Sequence, residues 1–181
     1  MKKMRILFIS DIHGIKKNLK TVEERLKKEH FDLLVVLGDL FYIGPRNDLK
    51  EEYDISYVRN FLDTYKEKII CMRGNCDSEI DVEVCDFPIL TNLGYIQTDG
   101  LDIYLTHGHI YNEKNWNKEN TILVFGHYHI PFIKEIGNNI YINPGSISLP
   151  KEGNPPSYMI YEDRKFTIYD KDNNIMIEKE V

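Results

Sequence analysis

The sequence has few cysteines and no long apolar run, and both absences exclude classes of protein. Its three cysteines, Cys71, Cys76 and Cys85, are odd in number and lack a zinc-knuckle spacing, so we expect reduced thiols rather than a disulfide framework. The longest apolar runs are about five residues, whereas a membrane span needs about 20. The apolar stretch 6–9 behind the basic N-terminus is too short for a signal peptide. We therefore predict a cytoplasmic protein that does not bind or cross a membrane.

An excess of positive charge is also missing. The chain has 23 Lys and Arg against 29 Asp and Glu, a formal net charge of -6. Long nucleic acids are bound through a basic face, so they are not expected as partners. A small phosphorylated ligand is compatible with this charge, because bound cations can reverse the sign of the field inside one pocket.

The 181 residues, of which 42% are hydrophobic and 29% charged, suit one packed domain over residues 1–181. A homo-oligomer of that domain is compatible with the composition. In the first half, the apolar segments 4–10, 32–37 and 68–72 read as buried strands. Between them, Leu19, Val22 and Leu26 recur at helical spacing, and residues 53–65 form a second helical pattern. This alternation predicts a parallel sheet with crossover helices.

The second half has closely spaced strand patterns that are mostly separated by turn signals such as Asp99-Gly100. The predicted strands are residues 95–98, 101–106, 121–125, 132–136, 139–142, 157–161, 165–169 and 175–180. Helices in the first half and hairpins in the second predict an α/β sandwich of two packed sheets with helices outside.

Polar side chains follow five of the predicted strands directly. They are Asp11 and His13, then Asp39, then Asn75, then His107 and His109, and finally His127 and His129. The crevice at the carboxyl ends of strands in an α/β sheet is where ligands bind, so these residues are predicted to form one site. Of the six histidines only His30 lies outside the clusters, and we do not assign it to the site.

The clustered residues point to metal binding. The Asp11–His13 pair alone is also typical of a helix cap or turn, so the combination of motifs carries the inference. The candidate ligands are Asp11, His13, Asp39, Asn75, His107, His127 and His129. Seven are too many for one tetrahedral zinc and suit two adjacent ions that share a carboxylate. Nitrogen and oxygen donors favour Mn, Fe, Zn, Co or Ni and leave the choice among them open.

The order of these motifs resembles the calcineurin-like metallophosphoesterase superfamily, in particular its small single-domain phosphodiesterase branch. The matching segments are Asp11-x-His13, Gly38-Asp39, Gly44-Pro45-Arg46-Asn47, Arg73 to Glu79, Leu105 to His109, Gly126 to His129 and Asn143-Pro144-Gly145-Ser146. The resemblance implies a four-layer sandwich, in which two mixed β-sheets are flanked by helices. It also implies one metal on Asp11, His13, Asp39 and His129, and a second on Asp39, Asn75, His107 and His127. Asp39 would then bridge the two ions.

One position departs from the wider family, in which the third motif reads Gly-Asn-His. Here Cys76 replaces that histidine, a change shared with the branch that the chain resembles. A thiol is a poorer proton donor near pH 7 than an imidazole, so we expect slow turnover or a preference for good leaving groups. Cys76 and His109 are the candidates for assisting the reaction, and a nucleophilic role for Cys76 is an open alternative.

The predicted reaction is phosphodiester hydrolysis by attack of metal-bound hydroxide. Two metal ions would lower the pKa of a bound water from about 15.7 towards 7. We expect Mn2+, with Ni2+, Zn2+, Fe2+, Co2+ or Mg2+ as alternatives. Arg46 and Arg73 either bind phosphoryl oxygens or are solvated loop residues. The turn 143–146 is expected to shape the pocket wall. The alternatives are a phosphomonoesterase or nucleotidase, and a non-catalytic scaffold of the same fold.

Overall fold

The computed structural model describes residues 3–45, 47–48, 52–90 and 92–181. Arg46 therefore lies outside the described residues. The strands are β1 (Ile6–Ile9), β2 (Leu33–Val36), β3 (Ile69–Met72), β4 (Ile89–Leu90), β5 (Gly94–Thr98), β6 (Leu101–Thr106), β7 (Ile122–Phe125), β8 (Pro131–Ile136), β9 (Asn139–Pro144), β10 (Ser157–Glu162), β11 (Lys165–Asp170) and β12 (Ile175–Glu180). The helices are α1 (Leu19–Lys28), α2 (Ile55–Thr64) and α3 (Glu79–Val84).

The first sheet has seven strands in the order β12-β11-β10-β1-β2-β3-β4. Strands β1 to β4 are parallel and are connected by the three helices, whereas β10, β11 and β12 pair antiparallel on the other side of β1. Ile6 of β1 pairs with Leu33 of β2, and Leu34 pairs with Ile69 of β3. The register thus brings the carboxyl ends of β1, β2 and β3 to the same end of the sheet.

The second sheet has five strands in the order β5-β6-β7-β9-β8. Its three central strands, β6, β7 and β9, are parallel, and β5 and β8 pair antiparallel at its edges. Both sheets are therefore mixed, and the predicted α/β class with two mixed sheets is confirmed.

The central core lies between the two sheets. It contains Phe8 from the first sheet together with Leu105 and Val124 from the second, all fully buried. Leu7 and Ile9, the neighbours of Phe8 on β1, belong instead to the core formed with α1 and α2. This alternation along one strand is what a sheet covered on both faces requires. Complete burial of each large apolar side chain contributes about 1.5–3 kcal/mol to folding.

The two longer helices form where the periodicity predicts them. Leu19, Val22 and Leu26 are buried on one face of α1. Helix α2 begins after Asp54, whose carboxylate accepts the backbone N–H of Tyr57 at 3.0 Å. Such a cap satisfies one of the free N–H groups of the first turn.

The short elements α3 and β4 are absent from the sequence prediction. Helix α3 has six residues and buries none of them, so it leaves no hydrophobic periodicity to detect. Its one local signal is the reciprocal capping of Ser78 and Asp81. Strand β4 has only two residues, Ile89 and Leu90.

The outer face of the second sheet is covered by a loop. Leu123, Phe125 and Tyr141 form a small core on this face, and Trp116 packs against it from the segment between β6 and β7. Helices in the described residues thus flank the first sheet, while a loop supplies the outer layer on the second. No helix within the described ranges is both long and apolar enough to cross a membrane.

Candidate metal centre

The predicted site residues follow the carboxyl ends of β1, β2, β3, β6 and β7. The loops that follow neighbouring strands are also joined to each other by backbone hydrogen bonds. The N–H of His13 donates to the carbonyl of Asp39 at 2.9 Å, and the N–H of Gly126 donates to that of His107 at 2.9 Å. The loops that carry the polar side chains are therefore held together by the same pairing that forms the sheets.

Five of the seven candidate ligands have a left-handed backbone conformation. Their φ angles are 55° for Asp11, 52° for His13, 57° for Asp39, 66° for His127 and 61° for His129. Residues other than glycine seldom adopt this conformation, and a cluster of them is typical of functional sites where the surrounding structure enforces it. At these strand ends the backbone adopts an unfavourable conformation, and the candidate ligand side chains are thereby directed into the site.

Asp11, His13 and His129 form the first group of side chains. The Nε2 atom of His129 lies 3.2 Å from Oδ1 of Asp11 and 3.5 Å from Nε2 of His13. The two imidazole rings stack with centroids 5.2 Å apart. All three residues are buried, and one ligand atom from each lies within 4.8 Å of the others, as a shared cation requires.

Asn75, His107 and His127 form the second group. The Nε2 atom of His107 lies 3.1 Å from Oδ1 of Asn75, and the ring centroids of His107 and His127 are 5.2 Å apart. His107 is buried, His127 is half-buried and Asn75 is exposed. This group is thus more open to solvent than the first.

Asp39 lies between the two groups. Its Oδ2 is 3.6 Å from Nε2 of His13, and its Oδ1 is 3.5 Å from Nε2 of His107. The two oxygens of one buried carboxylate therefore point to different groups of imidazoles. This is the geometry of a carboxylate that can be shared by two ions.

The hydrogen bonds of three imidazoles fix which ring nitrogen carries the proton. The Nδ1 atoms of His13, His107 and His129 lie 2.6, 2.7 and 2.5 Å from the backbone carbonyl oxygens of Tyr42, Leu37 and Leu149, respectively. A carbonyl oxygen only accepts, so each Nδ1 donates, and each neutral ring has its Nε2 lone pair free. Metal-ligating histidines have this same arrangement.

The free lone pairs face one another and face carboxylate oxygens. The Oδ2 atom of Asp11 accepts the hydroxyl of Ser10 at 2.7 Å and the backbone N–H of His127 at 3.0 Å. Its Oδ1 is buried and has no hydrogen-bond donor while His129 is neutral. Nitrogen lone pairs and carboxylate oxygens that face one another in a buried space repel, because all of them are hydrogen-bond acceptors. A proton or a cation between them removes this repulsion. The residues present therefore fit divalent metal ions.

The electrostatics agree with this interpretation. Burial favours the neutral acid at Asp11, but the adjacent His129, when it is protonated and donates to Asp11, and the nearby His107 hold the pKa of Asp11 well below its usual value. Burial opposes protonation of His129, but Asp11 raises the pKa of His129. Burial and the nearby His107 lower the pKa of His127 to about 4, so His127 is neutral at pH 7 and its lone pair is available.

Asp77 lies within the Arg73 to Glu79 motif but is not among the predicted site residues. Its buried carboxylate accepts three backbone N–H groups, from Asp39 at 2.9 Å, Leu40 at 2.7 Å and Gly74 at 2.7 Å. A Cβ atom at Gly74 would collide with the Asp39 carboxylate, so only glycine permits this close approach. Asp77 therefore holds the loops after β2 and β3 against each other.

Cys76 and His109 lie at the edge of the site. The Sγ of Cys76 is within 4.8 Å of ligand atoms of His13 and Asp39. Burial and the nearby Asp39 raise the pKa of Cys76 to about 12, so its thiol is protonated at pH 7. The ring of His109 has its centroid 5.3 Å from that of His107, and burial together with His107 lowers the pKa of His109.

A cavity of about 400 Å³ opens beside the second group. Its lining residues are Arg73, Gly74, Asn75, Asp77, Asn92 and His109. The guanidinium of Arg73 is fixed there by Nε, which donates to the carbonyl of Asp77 at 3.2 Å, and by an ion pair with Glu79. Asn92 lies outside every motif, and nothing in the sequence indicates its position at this cavity.

The turn 143–146 has a more specific position than a pocket wall. Asn143 and Ser146 are both fully buried. Asn143 donates its side-chain amide to the carbonyl of Gly126 at 2.6 Å, and Ser146 donates its hydroxyl to the carbonyl of Asp11 at 2.8 Å. The turn thus binds the backbone at two strand ends of the site.

Comparison with known proteins shows which family the chain matches and which relatives it resembles. The family model of the calcineurin-like phosphoesterase superfamily domain matches residues 4–165. The chain is 40% identical over 157 residues to phosphodiesterase YfcE of Escherichia coli strain K12, which is 86% of this chain and 85% of that protein. It is 30% identical over 166 residues to the probable metallophosphoesterase YsnB of Bacillus subtilis strain 168, 87% of this chain and 83% of that protein.

A solved structure extends the similarity to the fold. The structure of YfcE, a phosphoesterase from E. coli, superposes with a TM-score of 0.92 at 36% identity. The match covers 97% of this chain and 98% of that chain.

Proposed function

This chain belongs to the calcineurin-like phosphoesterase superfamily, and from that membership we propose that it is a dinuclear metal-dependent phosphodiesterase acting on small phosphodiesters. Its class as a metal-dependent phosphoester hydrolase follows from the family and from its phosphodiesterase relative. The number of ions, the ligand assignment and the substrate are the parts that we propose.

The position of Asp39 carries the proposal. Its two oxygens face Nε2 of His13 and Nε2 of His107, and neither nitrogen carries a proton when its ring is neutral. One ion could not be close to both of these nitrogens and to Asp11, His129, Asn75 and His127 as well. We assign one cation to Asp11, His13, Asp39 and His129, and the other to Asp39, Asn75, His107 and His127.

Two such cations, when bound, acidify a water to give a nucleophile and neutralise charge on the phosphoryl oxygens. The donors are nitrogen and oxygen atoms only, which is compatible with several transition metals, and we propose Mn2+. Asp11 and Asp39 bring two negative charges against the four positive charges of two dications, so the site attracts an anion.

The chain's own residues orient that anion. Arg73 borders the cavity beside Asn75, with its Nε and one terminal N–H already fixed by Asp77 and Glu79. We propose that its remaining N–H groups bind a non-bridging phosphoryl oxygen. His109 has a lowered pKa, is neutral at pH 7 and serves as a hydrogen-bonding group rather than a cation.

A matched pair of substrates tests the proposed specificity. Metal-depleted protein is reconstituted separately with Mn2+, Zn2+, Fe2+, Co2+, Ni2+ and Mg2+, and hydrolysis of bis(4-nitrophenyl) phosphate and 4-nitrophenyl phosphate is measured. We expect kcat/KM for the diester to exceed that for the monoester by about tenfold or more with the best ion, and Mn2+ to be that ion. His127→Ala should abolish the reaction, and His30→Ala, whose side chain is exposed outside the site, serves as the matched control.

The two alternative functions give different results in this assay. A phosphomonoesterase would hydrolyse the monoester faster than the diester with every ion. A non-catalytic scaffold would hydrolyse neither ester with any of the ions, although it would remain folded. Either result contradicts the proposed phosphodiesterase.

A further inference from the structure

The hydroxyl of Ser146 makes three hydrogen bonds in the turn that follows β9. It donates to the backbone carbonyl of Asp11 at 2.8 Å, and it accepts the backbone N–H groups of Leu149 at 2.8 Å and Ser148 at 3.1 Å. Ser146 is completely buried, so water cannot replace these bonds. A hydroxyl has one donor and two acceptor sites, and all three are used here.

The first of these bonds holds a candidate metal ligand in an unfavourable conformation. Asp11 has a φ of 55°, and its peptide is fixed on both sides. Its N–H donates to the carbonyl of Gly38 at 3.1 Å, and its carbonyl accepts the hydroxyl of Ser146. Loss of the second bond would release the carbonyl side of a strained residue, and the direction of its carboxylate would then depend on the bonds from Ser10 and His127.

The other two bonds lead to a second ligand, His129. Leu149 donates its N–H to Ser146, and its carbonyl accepts Nδ1 of His129 at 2.5 Å. Two residues further on, the N–H of Lys151 donates to the carbonyl of His129 at 3.1 Å. The segment 146–151 therefore holds both the ring and the backbone of His129.

Two members of the second group, His107 and Asn75, depend on other contacts, whereas the backbone N–H of the third, His127, donates to Oδ2 of Asp11 at 3.0 Å. The ring of His107 is held by the carbonyl of Leu37, and the loop that carries Asn75 is held by Asp77. No hydrogen bond in the described residues joins Ser146 to either of them. A change at Ser146 should therefore affect the two groups unequally.

We propose that Ser146 is a positioning residue that sets the affinity of one metal site, the site formed by Asp11, His13 and His129. It does so without contacting the ion, by fixing the backbone of Asp11 and the carbonyl that orients His129. The inference rests on the proposed dinuclear centre and assigns one of its two sites to this turn. Removal of such supporting partners of metal ligands typically lowers metal affinity by about 10–100-fold.

Calorimetric titration of metal-depleted protein with Mn2+ alone tests this role directly. For the wild type we expect two equivalents, and for Ser146→Ala we expect one site weakened by about 10–100-fold while the other changes by less than about twofold. Thr98→Val is the matched control, because Thr98 is equally buried, its hydroxyl donates to the carboxylate of Asp99 at 3.3 Å, and it pairs with Leu101 at the amino end of β6, opposite the end that carries the ligands. The control should lose thermal stability and keep both affinities.

Two backgrounds identify which site is affected. In Asn75→Ala, where the second group is disabled, Ser146→Ala should weaken the remaining site by the same factor. In His129→Ala, where the first group is disabled, the same substitution should have little further effect. If Ser146→Ala does not fold, Ser146→Cys replaces it, since a thiol fills the space with a weak donor and should weaken the same site.

The outcomes separate this inference from the proposed function. Two equivalents in the wild type and unchanged affinities in the folded Ser146 variants, or equal weakening of both sites, overturn the positioning role and leave the dinuclear centre intact. Fewer than two equivalents in the wild type contradict the dinuclear centre itself and with it the inference.

Discussion

The carboxylate of Asp77 accepts the backbone N–H of Asp39 at 2.9 Å, and it thereby fixes the residue that lies between the two groups of imidazoles. The same carboxylate accepts the N–H groups of Leu40 and Gly74, so one buried side chain joins the loops after β2 and β3. Burial raises the pKa of Asp77, although its three backbone donors favour the charged form. Asp39, whose carboxylate we propose as the bridge, is therefore held by a second carboxylate that does not face the ligands.

Asp77→Asn should destabilise the metal-free protein by about 1–3 kcal/mol. The substitution replaces one acceptor oxygen by an NH2 group, which then faces backbone N–H donors that have lost their partner. Urea unfolding of the chelated protein measures the loss. Asp172→Asn, at an exposed residue that pairs with Lys171, is the control and should change stability little. Equal stability of Asp77→Asn and the wild type would contradict the joining role.

Asp39→Asn and Asn75→Ala should differ in the number of ions lost. Asp39 faces both groups, whereas Asn75 supplies one neutral oxygen beside His107. We expect Asp39→Asn to lower the occupancy of both sites and Asn75→Ala to empty mainly one. Elemental analysis of the folded variants gives the metal count. Two full equivalents in Asp39→Asn would show that Asp39 does not bridge.

Cys76→Ala should keep its metal content and most of its activity. Cys76 belongs to neither proposed set of ligands, and in the metal-free protein its raised pKa keeps the thiol protonated at pH 7, a form that is a poor nucleophile. Cys76→His should speed the hydrolysis of esters with poor leaving groups, because it supplies a better proton donor. Rates on esters of graded leaving-group pKa are the measurement. A loss of more than about a thousandfold in Cys76→Ala with both ions bound would instead indicate a nucleophilic cysteine.

Stability should depend on pH through Asp54. Its carboxylate caps α2 and bonds to Lys16, and the bond from Lys16 and the N–H of Tyr57 lower the pKa of Asp54. A group with a lowered folded-state pKa stabilises the protein above its ordinary pKa near 3.8, and this contribution is lost as the pH falls through the lower folded-state value. The melting temperature of Asp54→Asn should therefore be below that of the wild type at pH 7 and approach it as the pH falls below the ordinary pKa of 3.8 and through the lower folded-state value. If the two melting temperatures differed by the same amount at every pH, the ionisation of Asp54 would not contribute to stability.

The sequence predicts the strands and ligands that carry a local signal. An apolar run followed by Asp11 and His13, or by His127 and His129, is visible within a few residues, and the parallel sheet rule brings such ends together. The contacts that support these ligands are not local. Ser146 and Asp11 are 135 positions apart, and their hydrogen bond depends on the exact course of two backbone segments.

Backbone strain leaves no signature in this sequence, and the short elements leave little beyond the Ser78–Asp81 capping pair of α3. Asp11, Asp39 and His127 adopt positive φ angles although glycine would do so at lower cost. Helix α3 buries no side chain, so its periodicity carries no information. The strained conformations are set by tertiary contacts at the site, which a single sequence does not encode in any one segment.

Stepwise return of Mn2+ to chelated protein, with bound metal and diester hydrolysis measured on the same samples, tests the dinuclear centre most directly. We predict no hydrolysis in the metal-free protein, little while the first equivalent binds, and full activity only as the second equivalent is bound. Hydrolysis of full size in the chelated protein, or complete activity with a single equivalent, would contradict the dinuclear centre.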